Sequence, residues 1–140
     1  MNDVSRGTQG AFGRPVSFEG RTVLLTLPWP PSTNKIWRAV KGRVLASKVA
    51  RKYKVSVAAH LPTGPVHTLT GRLVVWMTLH PPAALQQEWD IANREKVLMD
   101  ALTAQRVWVD DAQIDALMIT RGKPDPGAGR VELAIREVAP

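Results

Sequence analysis

Two stretches alternate apolar and polar positions with a period of two. In residues 70–80 (TGRLVVWMTLH), Leu73, Val75, Met77 and Leu79 share one face, and in residues 130–137 Val131, Leu133 and Ile135 do the same. That is the pattern of strands buried on one side. Residues 22–27 (TVLLTL) and 114–120 read as two further short strands. The helical period appears twice. Residues 46–61 hold no Gly or Pro, with Ser47 placed to cap them and Val49, Tyr53, Val57 and His60 or Leu61 recurring along one face. Residues 91–105 predict a second helix, with Ile91, Leu98 and Leu102 toward the core. Prolines and glycines punctuate the rest. Pro28, Pro30 and Pro31 make a stiff extended loop, residues 35–45 read as a basic loop turning at Gly42, and residues 62–65, 81–88 and 122–129 are connections. The expected fold is one α+β domain over residues 21–140, a mixed β-sheet packed with two main helices. A flexible N-terminal extension is expected over residues 1–20.

Composition narrows the function. The 140 residues include no cysteine, which excludes disulfide scaffolds, thiol nucleophiles, cysteine-ligated zinc and iron–sulfur sites. No apolar run approaches a membrane span, and the polar first twenty residues do not read as a signal peptide. A soluble cytoplasmic protein with no membrane partner is expected. The net charge of +7 points to a polyanionic partner, most simply nucleic acid. Its distribution sharpens the point. No acid occurs between Glu19 and Glu88, whereas seven of the twelve acids lie from Glu88 to Asp115. A basic first half and an acidic cluster suit a metal-dependent enzyme acting on nucleic acid; two solvated faces of opposite sign are the plainer alternative.

On the second helix Asn93, Lys96 and Asp100 share a face, with Asp90 at its entry, and Asp110 and Asp111 follow at the start of a strand. Carboxylate oxygens of this kind suit Mg²⁺ or Mn²⁺, which can activate water, while a nearby lysine stabilises developing negative charge. Spacing alone leaves a second reading open, in which Asp90 caps the helix and Lys96 pairs with Asp100.

The run from Asp90 through Asn93, Lys96 and Asp100 to Thr103, followed by Trp108, Asp110, Asp111 and Gln113, resembles the RusA family of Holliday junction resolvases. The family pattern is close to D-x-D-N-x-x-K-x-x-x-D-A-L, then W-x-D-D-x-Q. The opening Leu27–Asn34 segment (LPWPPSTN) with Trp37 and Arg38 matches the family's L-P-x-P-P-S-x-N start, and the similarity runs from about residue 22 to 137. The resemblance implies a small homodimeric endonuclease of bacteria and phages. Such an enzyme binds four-way junction DNA and nicks two opposing strands symmetrically, using Mg²⁺ for which Mn²⁺ can substitute. It implies that Asp90 and Asp111 are catalytic carboxylates and metal ligands, that Lys96 is the catalytic lysine, and that Asp110 is a further ligand candidate. The departure is Ala92, which stands where the family has an aspartate before Asn93. A methyl group cannot bind a metal, so strong junction binding with poor or absent cleavage is expected. Three origins stay open: a deliberate replacement that traps DNA, natural drift toward a non-catalytic branched-DNA-binding protein, and rescue by Glu88 or Glu95, ranked last.

The basic residues Lys35, Arg38, Lys41, Arg43, Lys48, Arg51 and Lys52, with Arg94, are candidates for the DNA backbone. Trp89, beside Asp90, is a candidate to stack on an unpaired base. Trp76 and Trp108 read as core or interface packing, and the three histidines show no metal-ligand spacing.

Overall fold

A computed structural model describes residues 22–32, 37–40, 43–46, 48–62, 67–85 and 88–138. The elements in chain order are β1 (Thr22–Pro28), β2 (Trp37–Val40), β3 (Arg43–Ala46), α1 (Lys48–His60), β4 (Arg72–His80), α2 (Glu95–Ala104), β5 (Ile114–Arg121) and β6 (Arg130–Val138). Four strands form one sheet in the order β1-β6-β4-β5. β6 runs antiparallel to both neighbours, whereas β4 and β5 are parallel. The sheet is therefore mixed, as expected.

The alternating residues face one way. Leu25 and Leu27 of β1, Leu73, Val75, Met77 and Leu79 of β4, and Val131, Leu133 and Ile135 of β6 are all buried. α1 adds Ala50, Tyr53 and Val57 to this core, and α2 adds Val97, Leu98, Met99, Ala101 and Leu102. Both helices thus lie on one face of the sheet. Trp108, just beyond α2, is fully buried in the same cluster, and Ile91 packs against it from the rim.

Three expectations are corrected. The basic loop over residues 35–45 contains a hairpin, β2 paired antiparallel with β3. Its strands are only four residues each, too short to show a period. The helix expected over residues 91–105 is broken. Residues Ile91–Asn93 form a single 3₁₀ turn, Arg94 leaves helical geometry at φ −120° and ψ −28°, and α2 starts only at Glu95. The break coincides with the Arg94 guanidinium reaching back to donate to the Pro30 carbonyl at 2.9 Å. Lastly, Asp110 and Asp111 do not begin a strand; Asp111–Gln113 is a second 3₁₀ turn that delivers the chain into β5. The expected N-terminal extension, Ser47, Lys35 and Lys41 lie outside the described residues.

β4 and β5 are parallel, so residues 81–113 must cross from one end of the sheet to the other. All the acids singled out from the motif lie on this crossover.

Candidate nuclease site

The crossover leaves β4 through Pro81 and reaches Trp89, which is 6% exposed. Its indole meets the Trp29 ring edge-on, with centroids 5.0 Å apart and planes at 88°. The Arg121 guanidinium lies 4.0 Å from the Trp89 ring centroid and donates to the Trp89 carbonyl at 3.0 Å. Arg94 lies over Trp29 at 5.1 Å. Two cations and two indoles thus lock the residue preceding Asp90. The Trp89 ring, a candidate to stack on a base, is enclosed in this structure, with Arg121 over one face. Arg94 is likewise turned inward, and burial lowers its pKa from the usual guanidinium value. It braces the site wall.

Asp90 itself is exposed and extended, at φ −101° and ψ 132°. One carboxylate oxygen accepts from Asn93 Nδ2 at 3.2 Å, and its carbonyl accepts the Asn93 backbone N–H at 3.2 Å. Ala92 is exposed on the same turn. Asn93 therefore orients Asp90, because both lie on one tight turn.

At the other end of the site, Thr103 near the end of α2 donates its hydroxyl to Asp111 Oδ1. Trp108 Nε1 donates to the same oxygen at 3.0 Å and to Thr103 Oγ1 at 2.6 Å. Two donors thus converge on Oδ1 and hold the Asp111 carboxylate. Lys96 Nζ donates to Asp100 Oδ1 at 2.9 Å across one helical turn. The lysine pKa is raised chiefly by that hydrogen bond, opposed by desolvation, with the charges of Asp100 and then Asp111 adding to it. The structure thus pairs Lys96 with Asp100, and the Asp111 charge adds only a small further effect on the lysine.

Asp110 has another task. Its carboxylate accepts the Ala112 N–H at 2.8 Å, capping the 3₁₀ turn. Gln113 closes the cap: its Oε1 accepts from Val109 N at 2.7 Å and Asp110 N at 2.9 Å, and its Nε2 donates to the carbonyls of Leu69 and Gly71 at 3.0 and 2.9 Å. The turn carrying Asp111 is therefore tied to the entry of β4. Thr103, Gln113 and Arg121 are the site residues that the sequence reading assigned no role. Thr103 and Gln113 both fall inside the quoted motif, which was the available signal; Arg121 lies on β5 and carried none.

Among the described residues, no three His, Asp or Glu side chains gather as a metal-binding group. Glu88 is exposed and Glu95 half-buried, and neither joins Asp90 and Asp111 in such a group. The basic residues stand next door. Lys48, Arg51 and Lys52 are exposed on α1, whose Lys52 and Tyr53 border a shallow groove with Trp29 and Pro31. Tyr53 donates to the Pro28 carbonyl at 2.8 Å, anchoring that loop to the helix. Arg38 and Arg43 belong to the β2–β3 hairpin. A continuous path of contacts thus leads from the basic helix through Trp29 and Trp89 to Asp90.

The family model for endodeoxyribonuclease RusA matches residues 28–136, which span the whole site. Crossover junction endodeoxyribonuclease RusA of Escherichia coli K12 is 32% identical over 118 residues, covering 84% of this chain and 96% of the relative. The enzyme of the same name from Enterobacteria phage 82 is 32% identical over the same extent, and that of Shigella sonnei 31%. The class is therefore that of DNA-cutting phosphodiesterases built on a small α+β domain. More narrowly, the chain belongs to the RusA family, whose members named here are crossover junction endodeoxyribonucleases.

Proposed function

We propose that this chain is a branched-DNA protein of the resolvase type that binds four-way junctions as a two-fold homodimer, and that Ala92 impairs its cleavage. The observation that carries the reading is the pairing of an intact frame with an incomplete ligand set. Asn93 still holds Asp90, Thr103 and Trp108 still hold Asp111, and a methyl group stands between them in sequence. Hard carboxylate oxygens suit Mg²⁺, with Mn²⁺ as a substitute. Two aspartates without a third do not complete such a site here, so no hydrolytic step is derived through the ion. What the chain's own residues supply is clear from their chemistry. Lys48, Arg51 and Lys52, with Arg38 and Arg43 on the hairpin and Lys35 and Lys41 beside them in sequence, attract the phosphate backbone. Lys96, paired with Asp100, offers a positive charge that would steady the negative charge of a scissile phosphate. A two-fold dimer matches a junction whose cleaved strands are themselves two-fold related. The cytoplasm of a bacterial or phage-infected cell is the setting.

The same observation favours a second reading, a non-catalytic protein that binds branched DNA. One experiment separates them. The chain and its Ala92→Asp variant are incubated with a labelled mobile four-way junction in Mg²⁺ and then Mn²⁺, with binding scored in parallel against linear duplex. Both proteins are expected to prefer the junction, and only the variant to cleave it. Cleavage by the unchanged chain would show that another carboxylate serves. A variant that binds without cutting would favour the non-catalytic reading. Loss of junction preference in both would sink the proposal.

A further inference from the structure

The proline-rich loop after β1 and one stripe of α1 enclose a cleft that the site residues leave without a task. Val49, Lys52, Tyr53 and Ser56 recur at i, i+3, i+4 and i+7, so they lie along one helix face. With Trp29 and Pro31 they line a groove of about 370 Å³, within the roughly 300–1,000 Å³ of small-ligand pockets. No carboxylate lines it. Val49, 43% exposed, is an apolar wall open to solvent. The cleft is preformed. Buried Tyr53 bonds the Pro28 carbonyl at 2.8 Å, and the proline rings fix the backbone angles of the loop. Trp29 is braced by the Trp89 ring, 5.0 Å away, and by the Arg94 guanidinium at 5.1 Å. A site that is rigid before binding loses little entropy when it is filled.

The chemistry of the lining selects an occupant. It offers aromatic and aliphatic surface, the Ser56 hydroxyl and the exposed Lys52 ammonium, and Lys48 and Arg51 stand exposed on the same helix. An apolar slot beside a row of cations suits a flat ring carried on an anionic chain, which is a nucleotide. A base inside a duplex cannot enter, because stacked neighbours cover both its faces. Turning a base out of the stack costs least where it is unpaired. The position fits as well: Trp29 joins the groove to Trp89, and the next residue is Asp90. We infer that the cleft between α1 and the proline loop receives one unpaired nucleobase from the strand-exchange point of branched DNA, with Lys52 on its phosphate. This rests on the branched-DNA reading above and adds a contact that a junction can make and a duplex cannot. The enclosed Trp89 then serves the slot from behind, by holding Trp29.

The test is binding of the full chain to an immobile four-way junction, followed by fluorescence anisotropy, with the bases flanking the exchange point replaced one at a time by abasic sites. Loss of the base that enters the cleft is expected to weaken binding by about tenfold, the order of one lost stacking contact. Val49→Asp puts a carboxylate into the cleft. Val55→Asp, at a position 71% exposed on the same helix and outside the cleft, makes the same change in net charge. Both should keep the parent's far-UV circular dichroism. Val49→Asp is expected to bind the intact junction about tenfold more weakly than Val55→Asp, and to be insensitive to the abasic site. Neither a folding defect nor a general charge effect produces that coupling. Equal losses in the two variants, or abasic sites without effect at every position, would overturn the cleft assignment, while a parent that still preferred junction to duplex would keep the branched-DNA reading. An abasic effect undiminished in Val49→Asp would overturn it too. A parent with no junction preference would remove both.

Discussion

Asp111 owes its orientation to a hydroxyl that the chemistry itself does not need. Thr103 and Trp108 both donate to Oδ1, Thr103 half-buried and Trp108 fully buried, so an unmatched oxygen there is costly. Thr103→Val keeps the shape and removes the donor. We expect it to lower stability by about 1–2 kcal/mol in urea titration, with Thr103→Ser close to the parent. A second residue can be read spectroscopically, because the chain has a single tyrosine. Burial pushes the Tyr53 phenol well above its ordinary value, and its hydroxyl donates to Pro28. The folded pKa being raised, the neutral phenol's contribution to stability is full below the unfolded value of about 10 and declines as pH climbs above it. Phenolate absorbance should therefore stay flat in the native protein past about pH 10 and rise only with unfolding. A smooth native titration near the ordinary value would contradict the burial.

At the scale of elements, the 3₁₀ turn Asp111–Gln113 behaves as a clip between the end of the crossover and the start of β4. Gln113 alone provides four of its hydrogen bonds. Gln113→Ala is expected to cost about 2–3 kcal/mol by chemical denaturation. In an Ala92→Asp background it should also slow junction cleavage, since Asp111 rides on the turn. The strands were legible because one face of β4 and β6 is buried and the period of two is therefore strict. The β2–β3 hairpin was not, since four-residue strands are too short to establish a period. The break at Arg94 escaped for a different reason. It coincides with a contact to Pro30, sixty-four residues away, and no local pattern reports that. Among site residues, Asp90, Lys96 and Asp111 follow from the motif. The enclosure of Trp89 does not, because it depends on Arg121 arriving from β5.

For the whole molecule, charge separation sets the expected DNA behaviour. The exposed cations of α1 lie on a different element from the acids of the crossover. If they contact phosphates, each contributes about 0.9 to the slope of log affinity against log salt. Replacing Arg51 and Lys52 with alanine should reduce that slope by about 2 while leaving the preference for junction over duplex, measured by competition at several salt concentrations. Topology has a further consequence. β6, the last described strand, lies between β1 and β4 and is the only link joining the first strand to the rest of the sheet. On the ribosome, every residue of the site is made before β6 emerges, yet β1 has no neighbour to pair with until it does. The sheet beneath the crossover is therefore incomplete until this strand pairs. A polypeptide caught mid-synthesis should therefore carry the crossover on an incomplete sheet, with β1 still unpaired.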